Sequence, residues 1–235
     1  MSEPAASFRV TWALPDGRPQ RTEKMMSTCS AVPELVLGGR HLKDALEQVR
    51  RYCGLPWSGG PPETWAFAYY DAIATDPARV TPVDVLSTAA LHPGISRSDL
   101  AFFVEQREGI QAWLSEVPSD VPLQKADDDV LIHLAALAEW GSAPHLTLLT
   151  KVLHRKRPQL IPLIDRHVIN HYRPLTGERR AESAWPRLLR EIKMDLQGPA
   201  GGVVSAWANY VRTESGVSVS ALRILDIAVW MDGNQ

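Results

Sequence analysis

The chain has 235 residues, 45% of them apolar, and a formal net charge of −2, enough to bury the core of one large domain or two small lobes. No apolar run approaches the roughly eighteen residues of a membrane span, and residues 1–7 lack the basic start and apolar stretch of a signal peptide. Two cysteines, Cys29 and Cys53, are too few for a disulfide scaffold or a four-thiolate metal cluster, so a cytoplasmic, reducing compartment is expected.

Residues 8–14 alternate weakly and Pro15-Asp16-Gly17-Arg18 is a turn signal, which predicts a short hairpin. Residues 1–40 read as a partly irregular extension ahead of a helical domain at 41–235. Lobes are expected at 41–126 plus the C-terminal helices, and at 127–197. Leu42, Ala45, Leu46 and Val49 begin a helical period that stops near Gly54-Leu55-Pro56. After a Gly/Pro loop, residues 63–74 read as an aromatic-rich helix whose Trp65, Phe67, Tyr69 and Tyr70 have core spacing. Thr81-Pro82-Val83-Asp84 is a helix start: hydroxyl N-cap, proline at the first position, acid in the first turn. A longer helix opening at Ser98-Asp99 is expected to turn Leu100, Phe103, Val104, Ile110, Trp113 and Leu114 inward. Asp127-Asp128-Asp129 charges the start of the next helix; on a helix these acids diverge, and no metal site is expected from them.

The stretch 146–175 concentrates the chemistry. An apolar helix ends in His154-Arg155-Lys156-Arg157-Pro158, and the apolar crossing 160–164 leads to a single acid, Asp165. A second helix then carries Arg166, His167, His171 and Tyr172. Residues 151–193 hold eleven Lys or Arg against four acids, leaving +7 there and −9 on the remainder. Such a segment is either a localised anion-binding face or a solvated helix surface. Beyond it come a basic amphipathic helix at 183–196, a flexible connector at 198–202, and closing helices at 203–212 and 220–231. There are no internal repeats, and the chain is expected to be all-α.

No phosphate loop, dinucleotide fingerprint or HExxH is present. His133 and His145 sit among apolar or loop residues and read as structural. Cys53 follows Arg50-Arg51, which could lower its pKa, but no histidine is close in sequence. Asp165, just before a helix, has the ordinary position of an N-cap as well as that of a candidate catalytic carboxylate.

The segment Pro162-Leu163-Ile164-Asp165-Arg166-His167-Val168, closing on Pro174-Leu175-Thr176-Gly177, resembles the helix-hairpin-helix DNA glycosylases of the endonuclease III, MutY and oxoguanine glycosylase superfamily. The core from Lys151 to Asp165 and the later Leu222-Arg223-Ile224-Leu225-Asp226 also resemble an uncharacterised actinobacterial family. The glycosylase resemblance implies a two-lobed helical bundle that hydrolyses the N-glycosidic bond of a damaged or modified base. In it Asp165 faces the positive charge that develops on the sugar. It further implies double-stranded DNA as partner, held by its phosphates on Lys151, His154, Arg155, Lys156, Arg157 and Arg166. The flipped base would be received by Trp140, His167, His171 and Tyr172.

The sequence departs from that pattern at the hairpin. Gly141-Ser142-Ala143-Pro144-His145 lacks the second glycine, and Pro144 donates no amide. The position of the family's lyase lysine falls near Thr147, with Lys151 one turn later on the same face. Monofunctional, water-using chemistry without an iron–sulfur cluster or other cofactor is therefore expected. A non-catalytic nucleic-acid-binding module on the same scaffold, or a helical interaction protein with a basic face, are the other readings.

Overall fold

Helix boundaries follow from side chains that satisfy the free amides at helix starts. The computed structural model describes residues 34–60, 66–92, 94–140 and 143–234, the side chains of 143 and 144 excepted. A two-stranded hairpin, β1 (Leu35–Leu37) and β2 (Arg40–Leu42), precedes α1 (Ala45–Tyr52), α2 (Phe67–Tyr70) and α3 (Pro82–Ser87). Then follow α4 (Arg97–Glu105), α5 (Arg107–Glu116), α6 (Asp128–Ala135), α7 (Ala143–His154) and α8 (Arg166–Thr176). The chain ends in α9 (Ala181–Gln197), α10 (Pro199–Ser215) and α11 (Ala221–Asp232). Apart from the hairpin the fold is all-α. Pro33–Gln235 form one compact unit, and no helix among the described residues is long and apolar enough to cross a membrane.

The hairpin expected near residues 8–18 lies outside the described residues. The described one pairs Leu35 with Leu42 in antiparallel register, and both side chains are buried in the core. Its turn is fastened from a distance. The Gly38 amide donates to Asp195 Oδ2 at 2.8 Å, and the Tyr172 hydroxyl donates to the same oxygen at 2.7 Å. Gly38 has φ +55°, and a Cβ there would stand 3.1 Å from the Tyr172 ring, so backbone angle and space both call for glycine.

The capping signals read locally are realised. Thr81 and Asp84 form the expected capping box at α3, and Asp127, in the acidic start expected of α6, accepts the amide of Val130; Ser96 and Asp99 form a second box at α4, two residues ahead of the expected opening at Ser98, and Ser220 accepts the amide of Arg223. Three longer-range expectations fail. The helix expected over 63–74 is a single turn in its described part, α2, because carbonyls from Tyr70 onward turn toward cations just past the end of α7 (below). The helix from Ser98 begins at Arg97 and breaks at Gln106; Phe102 and Phe103 face inward, while Leu100 and Val104 are exposed. Phe102 stacks on His145, with ring centroids 4.3 Å apart.

The third failure is the connector at 198–202, which is the first turn of α10. Pro199 takes the first helical position, where its missing N–H costs nothing. Gly201 lies against the end of α9: a Cβ there would sit 2.0 Å from the Leu196 carbonyl oxygen. Gly201→Ala is expected to destabilise the protein by about 1–3 kcal/mol through overpacking. Gly202→Ala, with nothing within 4 Å of the added carbon, should be neutral or stabilising by about 0.5–1 kcal/mol. Thermal melts of the two variants check the pair.

At the centre, α9 packs on α6, α8 and α10, and α11 packs on α1, α8 and α10. Leu222, Ile224, Leu225, Ile227, Ala228, Val229 and Met231 are all buried, as expected of a helix enclosed by others. Two charged residues, Arg223 and Asp226, are buried on this same helix. They lead to the site.

Candidate active site

Asp165 caps α8. Its backbone is extended, with φ −146° and ψ −176°, and Oδ1 accepts the amides of His167 at 2.8 Å and Val168 at 3.0 Å. Both bonds go to one oxygen. Among the described residues no hydrogen bond is donated to Oδ2. The half-buried side chain lines a cavity of about 280 Å³ together with Lys151, Arg223, Asp226, Tyr52 and Trp230. The cavity lies near the low end of ligand pockets, which run from about 300 to 1,000 Å³.

The wall carries buried charges. Arg223 is held by Asp71 in a bidentate pair at 2.7 and 2.8 Å, donates to the Tyr52 hydroxyl at 2.7 Å, and contacts Asp226 closely. One guanidinium thus serves two carboxylates. Burial pushes the Asp226 carboxyl up to about 7; Arg223 pulls it back, and Asp165 adds to the rise. Asp71 already neutralises Arg223, so the upward direction follows.

Lys151 is the least expected member. Only 3% exposed, it makes no hydrogen bond or ion pair through its ammonium among the described residues. Burial depresses its pKa, the charges of Asp165 and Asp226 work against that depression, and Arg223 works with it. An amine desolvated without a bonded partner destabilises the fold. Lys151→Met is therefore expected to melt at the same temperature as the parent or higher, which differential scanning calorimetry can read.

The other cations expected on phosphates are internal too. Lys151, His154, Arg155, Lys156 and Arg157 are all buried. The Arg155 guanidinium donates to the Tyr70 and Ile73 carbonyls and, at 3.3 Å, to Asp84. Lys156 pairs with Asp84 Oδ2 at 2.6 Å and donates to the Asp76 carbonyl. Arg157 donates to the carbonyls of Leu114, Val117 and Pro77. These three side chains clamp the irregular backbone around 70–84 and the end of α5, and they are spent on it. His154 is neutral: burial drives its pKa down to about 3, and Nδ1–H donates to the Ile161 carbonyl at 2.6 Å. Of the six residues expected on phosphates, Arg166 alone is exposed.

The expected base pocket is also corrected. His171 Nε2–H donates to the Leu37 carbonyl at 2.8 Å, and Tyr172 serves Asp195, so both fasten the hairpin. Trp140 is half-buried against the core and does not line the cavity. His167 stands one ring away from it, edge-on to Trp230 at 6.1 Å. The aromatic walls are Tyr52 and Trp230, set edge-to-face 5.9 Å apart. Sequence reading passed over them and Asp226, though Arg223 and Asp226 stand out as charges inside an otherwise apolar helix.

Elsewhere, His133 stacks on Trp113, as a structural histidine should. The Cys53 thiol is buried and pushed up to about 12 by that burial, with Asp71 adding to the rise, the opposite of activation. Arg50 is engaged by Glu47 and Tyr210, and Arg51 lies over the Trp57 ring. Gly141 and Ser142, where the eroded hairpin begins, lie outside the described residues. No cluster of three or more His, Cys, Asp or Glu among the described residues is arranged to hold a metal ion.

A family model described as a family of unknown function (DUF6308) matches residues 45–233, a span that contains every residue named on the cavity wall. No curated protein and no solved structure matches the chain.

Proposed function

Since the chain belongs to DUF6308, a family of unknown function, we propose from its own geometry that it hydrolyses an N-glycosidic bond of a nucleotide in DNA, with Asp165 as the catalytic carboxylate. One observation carries this reading: Asp165 is anchored through Oδ1 by two amides while the same carboxylate lines a partly open cavity walled by Tyr52 and Trp230. Capping and catalysis do not compete for the group, because they use different oxygens.

In the proposed reaction the C1′–N bond breaks and its electron pair leaves with the base. Positive charge spreads over the sugar ring, and the Asp165 carboxylate opposes it in a site of low dielectric, favouring the transition state over the neutral substrate. Water adds its oxygen to C1′, and its proton passes to Asp165 or to the departed base. Anchoring by His167 and Val168 matters here because a carboxylate already oriented spends no energy on reorganisation. Trp230, half-buried on the cavity wall, offers an aromatic surface for a base taken out of the stack.

The test is a panel of DNA duplexes carrying single damaged or modified bases, assayed for free base by chromatography. Release by the parent that is lost in Asp165→Asn supports the proposal. Release that survives the substitution, or none across the panel, overturns it. The burial of five expected phosphate contacts favours a second reading, a helical protein in which Asp165 is a cap alone. That reading predicts no release by either protein.

A further inference from the structure

With the cations of 151–157 turned inward, the basic excess of the segment falls on different residues. Between 166 and 190 every fully exposed ionisable side chain is an arginine: Arg166, Arg173, Arg179, Arg180, Arg187 and Arg190. The acids of the same stretch, Glu178 and Glu182, are half-buried. Among the described residues none of the six guanidiniums is ion-paired with a carboxylate. A face whose charges served only solubility would mix signs.

The six are also arranged. Arg166 and Arg173, seven residues apart, share one face of α8, and Arg187 and Arg190 share the exposed face of α9. Arg179 and Arg180 occupy the turn between the helices. Arg187 donates to the Thr176 carbonyl at 2.9 Å, which ties that face of α9 to the last turn of α8. The row starts beside the cavity, since Arg166 follows Asp165 directly. Eleven residues of α8 rising 1.5 Å each carry it about 16 Å outward.

We propose that this arginine row is the surface on which the protein holds a nucleic-acid backbone, one strand running from the cavity along α8 to the α8–α9 turn. The surface stands on its own observations, and the choice of duplex DNA as the polyanion rests on the function proposed above. Guanidinium forks match phosphate oxygens two bonds at a time, which suits a row made of arginine. Along α8 the seven residues from Arg166 to Arg173 rise about 10 Å, the axial span of about three nucleotides of one strand at about 3.4 Å each, and the other four arginines lie on the turn and on α9. A phosphate on Arg166 would bring its own nucleotide to the cavity mouth.

The experiment is fluorescence anisotropy of the full chain with a labelled duplex of about 20 base pairs, titrated with KCl between about 50 and 200 mM. Six phosphate contacts predict a log–log salt slope near −5 and a loss of about a thousandfold in affinity over that range. Arg173→Gln, Arg180→Gln and Arg187→Gln together should halve the slope and weaken binding at low salt at least tenfold. The corresponding three lysine substitutions should retain the slope while binding less tightly, which separates lost charge from lost fold. No binding, an unchanged slope in the glutamine variant, or tighter binding to anionic vesicles or polyglutamate than to duplex would each overturn the assignment. Binding that follows these rules without base release would uphold the surface and sink the catalytic reading.

Discussion

Asp165→Asn is expected to lower base release by about 100- to 1,000-fold, the range for removing one preorganised electrostatic group from an active site. It should do so without unfolding the protein, because asparagine caps a helix about as well as aspartate and its Oδ1 can still accept the amides of His167 and Val168. Asp165→Ala removes both roles and should cost about 1 kcal/mol of stability in addition to activity. Rates from chromatographic release and midpoints from thermal melts, taken on the same preparations, separate the two contributions. Equal activity in the parent and the asparagine variant would leave Asp165 as a cap alone.

Asp84→Ala should have the largest effect on stability, about 3–5 kcal/mol, because it strands Arg155 and Lys156 as buried cations. The carboxylate is almost wholly buried, which opposes its charge. Bonds from Lys156, Thr75 and Thr81 outweigh that and hold its pKa down to about 2. With a folded pKa below the unfolded value of about 3.9, Asp84 contributes its stability fully above about pH 4. That contribution, on the order of 2 kcal/mol, is lost as pH falls through 2. Urea titrations at about pH 6 and pH 2.5 should therefore show the gap between parent and Asp84→Ala narrowing in acid. A gap that stays constant would mean that Asp84 is not the counter-charge of the clamp.

What the sequence discloses divides along distance. The caps at Thr81 and Asp165 were legible because cap and amide lie within three residues of each other, whereas α4 was expected to open at Ser98 and is capped two residues earlier, at Ser96. The period of the long helices was legible for the same reason. The run His154 to Arg157 was not. Its composition is that of a phosphate-binding face, but Arg155, Lys156 and Arg157 are drawn inward by carbonyls about 40 to 85 positions earlier in the chain, and His154 by the carbonyl of Ile161, seven positions later. Residues 198–202 look like a linker by composition, yet Pro199 begins a helix and Gly201 makes room for Leu196. Asp165 was picked out by its place between two helices. Its cavity depends on Tyr52, Asp226 and Trp230, which come from opposite ends of the sequence and meet only when α11 packs on α1. The arginine row was visible as excess charge from the start, but only the withdrawal of four neighbouring cations into the core showed which residues form it.

The clamp on the 70–84 backbone has a consequence for how the protein is made. The carbonyls of Tyr70, Ile73, Asp76 and Pro77 have their donors on Arg155, Lys156 and Arg157, about 80 residues downstream. At a synthesis rate of about 5–20 residues per second, this stretch leaves the ribosome about 4–16 s before the side chains that will satisfy it exist. During that interval it carries unpaired peptide groups beside the apolar Phe67 and Tyr70. A chain stalled or cut before residue 155 keeps them unpaired. Such nascent fragments should be soluble only in the company of chaperones, whereas the completed chain closes over the same stretch once Arg155, Lys156 and Arg157 have been translated.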